Sequence, residues 1–279
     1  MNAPAPAGDD ELRPLDRSVC ATADLLDVGS GRGAGIVNEA RRFGARNPIG
    51  IERNAAKVSR AQAAGLPVFR ADFDDLDPAW FPSADVVTFD NVLEHLPDAA
   101  AVERALGRAF AIASRLVYVR HPSFEHVDYL ASLGVKQYWT DWSAHTARLR
   151  VDELVAIAAR RGVHGVDVRP VMRALDSADR TILPLDAPPD QHKHAWDERA
   201  VYDETVHGPK PVVAFELPVY FAFDVFFYVS DQRPSIHYAR DAERELARPS
   251  VSWRAARGRE AAWRAIDRVR WSRRREGPR

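Results

Sequence analysis

The segment Leu25-Leu26-Asp27-Val28-Gly29-Ser30-Gly31-Arg32-Gly33 constrains the fold of this chain more than any other. Its first four residues read as a short buried strand, and three alternate glycines close it. Glycine lets the backbone approach a ligand closely, because no Cβ intervenes. Ala34 to Phe43 then carries a helical pattern. A strand that turns through glycine into a helix is the opening of a βαβ unit.

The pattern recurs. Ile49-Gly50-Ile51-Glu52 is a second strand, and Asn54 caps a helix that runs to about Ala64 and stops at Gly65. Leu66 to Arg70 is a third strand, Asp85 to Phe89 a fourth, and Leu116 to Val119 a fifth, with a helix from about Asp98 to Ala113 before the last. Strands alternating with helices predict a parallel sheet in an α/β, doubly wound fold, with the ligand crevice at the carboxyl ends of the strands. Beyond His121 the pattern loosens. Residues 122–150 hold Tyr129, Tyr138, Trp139 and Trp142 without a clear period, and read either as the wall of a pocket or as a satellite core. Val151 to Arg161 is a helix, Val166 to Met172 a strand, and Val212 to Val229 two strands broken near Pro218. The chain therefore divides into a flexible lead-in (1–20), one domain (21–232) with insertions at 122–150 and 174–218, and a basic extension (233–279).

Composition narrows the class. The 279 residues are 46% hydrophobic and 28% charged, which suits one large α/β domain with a sizeable core. Net charge is −1, so nothing global marks a nucleic-acid binder. Residues 240–279 hold 13 Arg against 6 acidic residues, so the tail is basic and the rest acidic. In the tail Ala255, Ala262, Ile266 and Val269 share one helical face and arginines the other, a pattern of a solvated helix or of light contact with a membrane surface. The predominance of Arg over Lys reads as a genome bias. A single cysteine, Cys20, forms no internal disulfide and suits a reducing cytosol; the N-terminal residues lack the apolar core of a signal peptide. Pro211 to Ser230 is interrupted by Glu216, Pro218 and Asp224 and is no membrane span. A cytoplasmic location is the expectation.

Three carboxylates sit where a ligand would meet them. Asp27 stands at the end of the first strand, where it suits a cationic amino-acid group and repels a pyrophosphate. Glu52 ends the second strand, 23 residues after Gly29, where an acid can hold ribose hydroxyls. Asp72 follows the third strand, placed to take an adenine amino group, with Phe73 either on the ring or in the core.

Together LLDVGSGRG (25–33), IGIE (49–52), RADF (70–73) and FDNVLEHLPD (89–98) resemble the class I S-adenosylmethionine-dependent methyltransferases, in their small-molecule branch. The resemblance spans roughly residues 24–170 and implies a mostly parallel seven-stranded sheet with helices on both faces. It implies S-adenosylmethionine as cofactor, with Gly29, Ser30, Gly31 and Gly33 around its methionine part and Asp27 orienting the amino group. Glu52 with Arg53 beside it would serve the ribose, Asp72 and Phe73 the adenine, and Asn91 the pocket under the methionine.

Methyl transfer to a hydroxyl is helped by a general base, and histidine titrates near neutral pH. His121, His95 and His145 rank in that order by position. Gln191-His192-Lys193-His194 has the look of a metal motif but no cysteine partner, and no metal is expected. The leading reading is methyl transfer to a small molecule or glycan precursor, at a hydroxyl oxygen. RNA or protein acceptors and a non-catalytic cofactor-binding module stay open as alternatives. An NAD-dependent oxidoreductase is disfavoured by Asp27 and by the segment Val92 to Leu96. Oligomeric state has no signature.

Overall fold

The computed structural model describes residues 12–189 and 202–231. Helix α1 (Arg17–Thr22) comes first, capped by Asp16, whose carboxylate accepts from the Ser18 and Val19 amides. It buries Cys20, so the expected flexible lead-in does not reach residue 20; the buried thiol needs the helix that carries it. Then follow β1 (Leu25–Val28), α2 (Ala34–Phe43), β2 (Pro48–Glu52), α3 (Ala55–Ala63), β3 (Val68–Arg70), β4 (Val86–Asp90), α4 (Ala99–Ile112) and β5 (Leu116–Pro122). Local signals set these limits. Asn54 and Asp98 cap α3 and α4 through their side chains, and Gly44 ends α2 in a left-handed conformation.

The remaining elements are α5 (Val127–Ser132), β6 (Val135–Gln137), α6 (Val151–Arg160), β7 (Gly165–Asp176), β8 (Ile182–Pro184), α7 (Glu204–His207) and β9 (Ala214–Tyr228). The main sheet has seven strands in the order β3-β2-β1-β4-β5-β9-β7. The first five run parallel, and β9 lies antiparallel to both β5 and β7. Alternate strand residues face opposite layers. Leu26, Val87, Phe89, Val117 and Val119 pack with Leu106 of α4 and Leu154 of α6. Leu25, Val86, Leu116 and Tyr118 face the other way, toward Phe43 of α2.

Two features depart from the sequence reading. Residues 214–228 form one continuous strand through Pro218, not two. Pairing with β5 ends at Ala222, so Pro218 lies beyond the central part of the sheet, opposite an irregularity of β7 between Ala174 and Asp176. A strand edge or bulge is where the missing N–H costs least. The two insertions also fold together: β6 from the first pairs antiparallel with β8 from the second. Leu130, Val135, Ile182, Phe215 and Val219 make their shared core against the projecting part of β9. The segment 190–201, with His192 and His194, and the basic extension from 232 onward lie outside the described residues.

A charged layer lies under the α2 face. Arg120 holds Asp224 through two bonds of 2.8 and 3.0 Å, and the Tyr118 hydroxyl donates to the same carboxylate at 2.8 Å. Arg42 reaches the Tyr118 hydroxyl and stands 3.5 Å from Glu39, which is fully buried with no hydrogen-bond partner on either oxygen. Burial pushes the Glu39 carboxyl up to about 8, against the pull of Arg42. A carboxyl raised from 4.5 to about 8 keeps its proton in the folded state where the unfolded chain has lost it. Its contribution to stability therefore falls as pH rises from about 4.5 to about 8, and is flat above. Glu39→Gln should leave the melting temperature near wild type at pH 5 and raise it at pH 8.5 by about 3 °C or more, measured by calorimetry at both values.

Candidate active site

Strand order reverses at β1, which has β2 on one side and β4 on the other. Loops leaving the carboxyl ends of β1 and β4 diverge there and open a crevice. The glycine loop fills one side. Gly29, Gly31 and Gly33 all have positive φ, at 72°, 59° and 90°. A Cβ on Gly29 would lie 2.7 Å from a Val92 methyl, and one on Gly33 would lie 2.3 Å from Leu66. A Cβ on Gly31 would meet nothing within 4 Å, so this is the point where the loop is open to a ligand. The Ser30 hydroxyl is buried and donates to the Asp27 carbonyl at 2.8 Å, pinning the turn.

Asp27 is buried in β1. Its Oδ1 accepts from the Thr88 hydroxyl at 2.7 Å, while Oδ2 has no hydrogen-bond partner. Burial pushes its carboxyl up to about 7; the Thr88 and Ser30 hydroxyls pull it back and nearby Asp90 pushes further. Thr88 was not singled out in the sequence, because a threonine in a buried strand reads as strand filler. Glu52 ends β2 with its side chain 11% exposed, accepting from the Gly31 amide at 3.2 Å and facing Lys57 at 3.4 Å. Arg53 points outward, 3.5 Å from Asp72. Asp72 caps the short turn Phe73–Asp75 through the Asp74 amide. Phe73 lies in the core, edge to face with Phe89 at 5.5 Å. Asn91 follows β4 with φ 54°, its side-chain amide donating to Asp90 at 2.8 Å.

The histidines fall into a cluster. The short turn Leu93–His95 directly after β4 presents Glu94 inward and His95 outward. His145 arrives from the loop between β6 and α6, its ring 4.9 Å from that of His95. One ligand-type atom from each of Glu94, His95 and His145 falls within 4.8 Å of the others. Burial holds the His145 imidazole below its ordinary value, opposed by Glu94.

His121 differs from its expected place at the open end of β5. That strand continues to Pro122, pairing with β9, so His121 sits inside it, opposite Phe223, and is buried. Its Nε2 lies 3.0 Å from the Leu149 carbonyl and its Nδ1 3.7 Å from Glu94. Phe124 and Trp142 pack against the His145 ring, while the Trp139 indole packs on Tyr138 and Phe221 and donates to the Ser123 carbonyl at 3.1 Å. His207 is turned onto the backbone of Asp203 and takes no part.

A parallel strand order of this kind, with an acid before a glycine loop and a second acid on the neighbouring strand, defines a class I methyltransferase. A family model described as a methyltransferase domain matches residues 12–168. The chain belongs to that family, the S-adenosylmethionine-dependent methyltransferases. A stretch of 110 residues is 33% identical to the ubiquinone biosynthesis O-methyltransferase of Hahella chejuensis, covering 35% of this chain and 45% of that protein. The chain thus spans under half the length of this curated relative. Among solved structures, a SAM-dependent methyltransferase from Archaeoglobus fulgidus aligns with TM-score 0.48 at 15% identity, covering 76% of this chain and 88% of that one. Magnesium protoporphyrin IX methyltransferase from Synechocystis aligns with TM-score 0.42 at 12% identity, covering 74% of each.

The residues present fit the cofactor of this family. Asp27 Oδ2 lacks a donor, Glu52 stands beside the open face of Gly31, and that face would be filled by any side chain. Gly33→Ala should lower stability by about 2 kcal/mol or more, since a left-handed backbone costs alanine about 1–2 kcal/mol and Leu66 must also move. Urea denaturation of the purified variant measures it.

Proposed function

We propose that this enzyme transfers a methyl group from S-adenosylmethionine to a hydroxyl oxygen of a small molecule or glycan building block. The observation that carries the reading is the uncovered Gly31 with Glu52 beside it, above a buried Asp27 whose Oδ2 has no donor. The bound cofactor supplies an electrophilic methyl on a sulfonium, open to in-line attack by the acceptor. The chain's own residues position the partners.

Asp27 orients the amino group of the methionine part, directly or through water. Glu52 keeps lone pairs for the ribose hydroxyls after accepting from Gly31 and Asn54. Asp72, 41% exposed, remains available to the adenine amino group. Asn91 lines the floor where β4 ends. The acceptor enters beside Glu94, His95 and His145, walled by Trp139 and Trp142. That cluster deals with the hydroxyl proton; of its imidazoles, His95 is the exposed one. His121 holds the cluster from behind. A small acceptor and an oxygen target also agree with the name of the Hahella relative, an O-methyltransferase of ubiquinone biosynthesis. Among the described residues no helix is long and apolar enough to cross a membrane; a cytoplasmic site of action belongs to the same proposal.

Calorimetric titration with S-adenosylhomocysteine, S-adenosylmethionine and NAD tests it. Wild type should bind both sulfur compounds in the micromolar range and NAD not at all. Glu52→Ala should weaken binding about tenfold or more, as expected for the loss of charge-assisted hydrogen bonds, and Asp27→Asn should weaken it as well. A folded protein that binds neither sulfur compound overturns the reading.

A further inference from the structure

We propose that Glu94, His95 and His145 bind a divalent first-row transition cation at the carboxyl end of β4. The reason is a convergence of lone pairs. Backbone carbonyls only accept hydrogen bonds, so the ring nitrogen facing one carries the proton. His95 Nδ1 faces the Ala144 carbonyl at 2.9 Å, and His145 Nδ1 faces the Trp139 carbonyl at 2.9 Å. In the neutral rings each Nε2 is then a bare lone pair. A hydrogen bond from the far nitrogen to a carbonyl is the usual support of a metal-bound imidazole.

Glu94 makes the third donor, and it is 1% exposed with no hydrogen-bond partner on Oε2. Behind it His121 repeats the arrangement. Its Nε2 is committed to the Leu149 carbonyl, and its buried Nδ1 has no partner, 3.7 Å from Glu94 Oε2. A buried carboxylate oxygen this close to an imidazole nitrogen calls for positive charge nearby, from a shared proton or from a bound cation.

The frame is already fixed. The Ala147 amide donates to the Glu94 carbonyl at 3.1 Å, and the Thr146 hydroxyl donates to the Leu96 carbonyl, stitching the His145 loop to the Glu94 turn. One ring nitrogen of each histidine and one Glu94 oxygen lie within 4.8 Å of one another, wider than the roughly 3.3 Å edge of a tetrahedron with bonds of about 2.0–2.1 Å. Binding would therefore draw the three side chains closer together, His95 being the exposed one of the three. Two imidazoles and one carboxylate suit Zn²⁺, Co²⁺, Fe²⁺ or Mn²⁺, whereas Mg²⁺ and Ca²⁺ prefer all-oxygen sites. Three protein ligands leave a position for the acceptor oxygen, whose ionised form the cation would favour. That last role rests on the proposed hydroxyl acceptor; cation binding does not.

The test is a Co²⁺ titration of chelator-treated full-length protein, followed by visible d–d absorption and by metal analysis. S-adenosylhomocysteine calorimetry runs in parallel on every sample. We expect one Co²⁺ per chain, displaced by Zn²⁺, with affinity lowered about 10–100-fold or more in His95→Ala, His145→Gln and Glu94→Gln. The exposed His95→Ala should keep its S-adenosylhomocysteine affinity, which shows that it is folded. Absence of saturable Co²⁺ binding, equal binding by wild type and His95→Ala, a preference for Mg²⁺, or loss of binding only in His192→Ala/His194→Ala would each overturn the proposal. Co²⁺ binding without S-adenosylhomocysteine binding would uphold the cation site and sink the methyl-transfer reading; the reverse would do the opposite.

Discussion

Everything functional in this chain depends on the position of β1. All four of its residues are buried, between β2 and β4 in the middle of a parallel array. The chain first winds outward from β1 to β3, then returns to β4 on the other side. No hydrogen-bonded neighbour can cover the gap between the diverging loops, so the gap is left for a ligand. A fully buried parallel strand should be apolar throughout. Asp27 breaks that rule at the strand next to the gap, and such local violations concentrate at functional or strained sites.

The break has consequences behind the crevice. Burial raises the acids Asp27, Glu39 and Asp90; nearby Asp90 raises Asp27 further, and Asp90 and Asp27 both raise Glu39. Buried like charges destabilise a fold unless counter-charges answer them. Arg42 and Arg120 supply these, and Arg120 is held in turn by Asp224 of β9. The antiparallel strand β9 is therefore more than the far side of the sheet: it anchors the cation that balances the end of β4. Asp224 looked in the sequence like an interruption of an apolar run. Paired across the sheet with Arg120, it is the one polar residue that the run requires.

The local half of the fold was legible because its signals are local. Asn54, Asp98 and the glycines at helix ends fixed α2, α3 and α4 to within a residue or two. The glycine loop with Asp27 and Glu52 was legible for the same reason, since spacing along the chain sets which strand end each occupies. What stayed hidden depends on pairing between distant segments. Strand β5 runs three residues past Val119 because β9 pairs with it, and that extension moves His121 from the rim into the interior. Strands β6 and β8 have three residues each, too few for any period to declare. The partnership of Glu94 with His145 bridges 51 positions, and nothing at either end signals the other.

The two halves of the site meet at one short stretch, residues 91–95. Val92 packs against the Cα of Gly29, so the backbone of the glycine loop cannot shift without moving the turn that carries Glu94 and His95. Asn91 adopts a left-handed φ of 54° to make that turn, with its amide held by the Arg120 carbonyl. Such a conformation persists only where surrounding contacts enforce it. Here they tie the loop after β1, the turn after β4 and the loop bearing His145 into one rigid unit. In-line displacement demands a fixed distance and angle between donor and acceptor. On the proposed function, a single backbone unit that carries both the glycine loop and the Glu94–His95–His145 cluster would fix that relation before either ligand arrives.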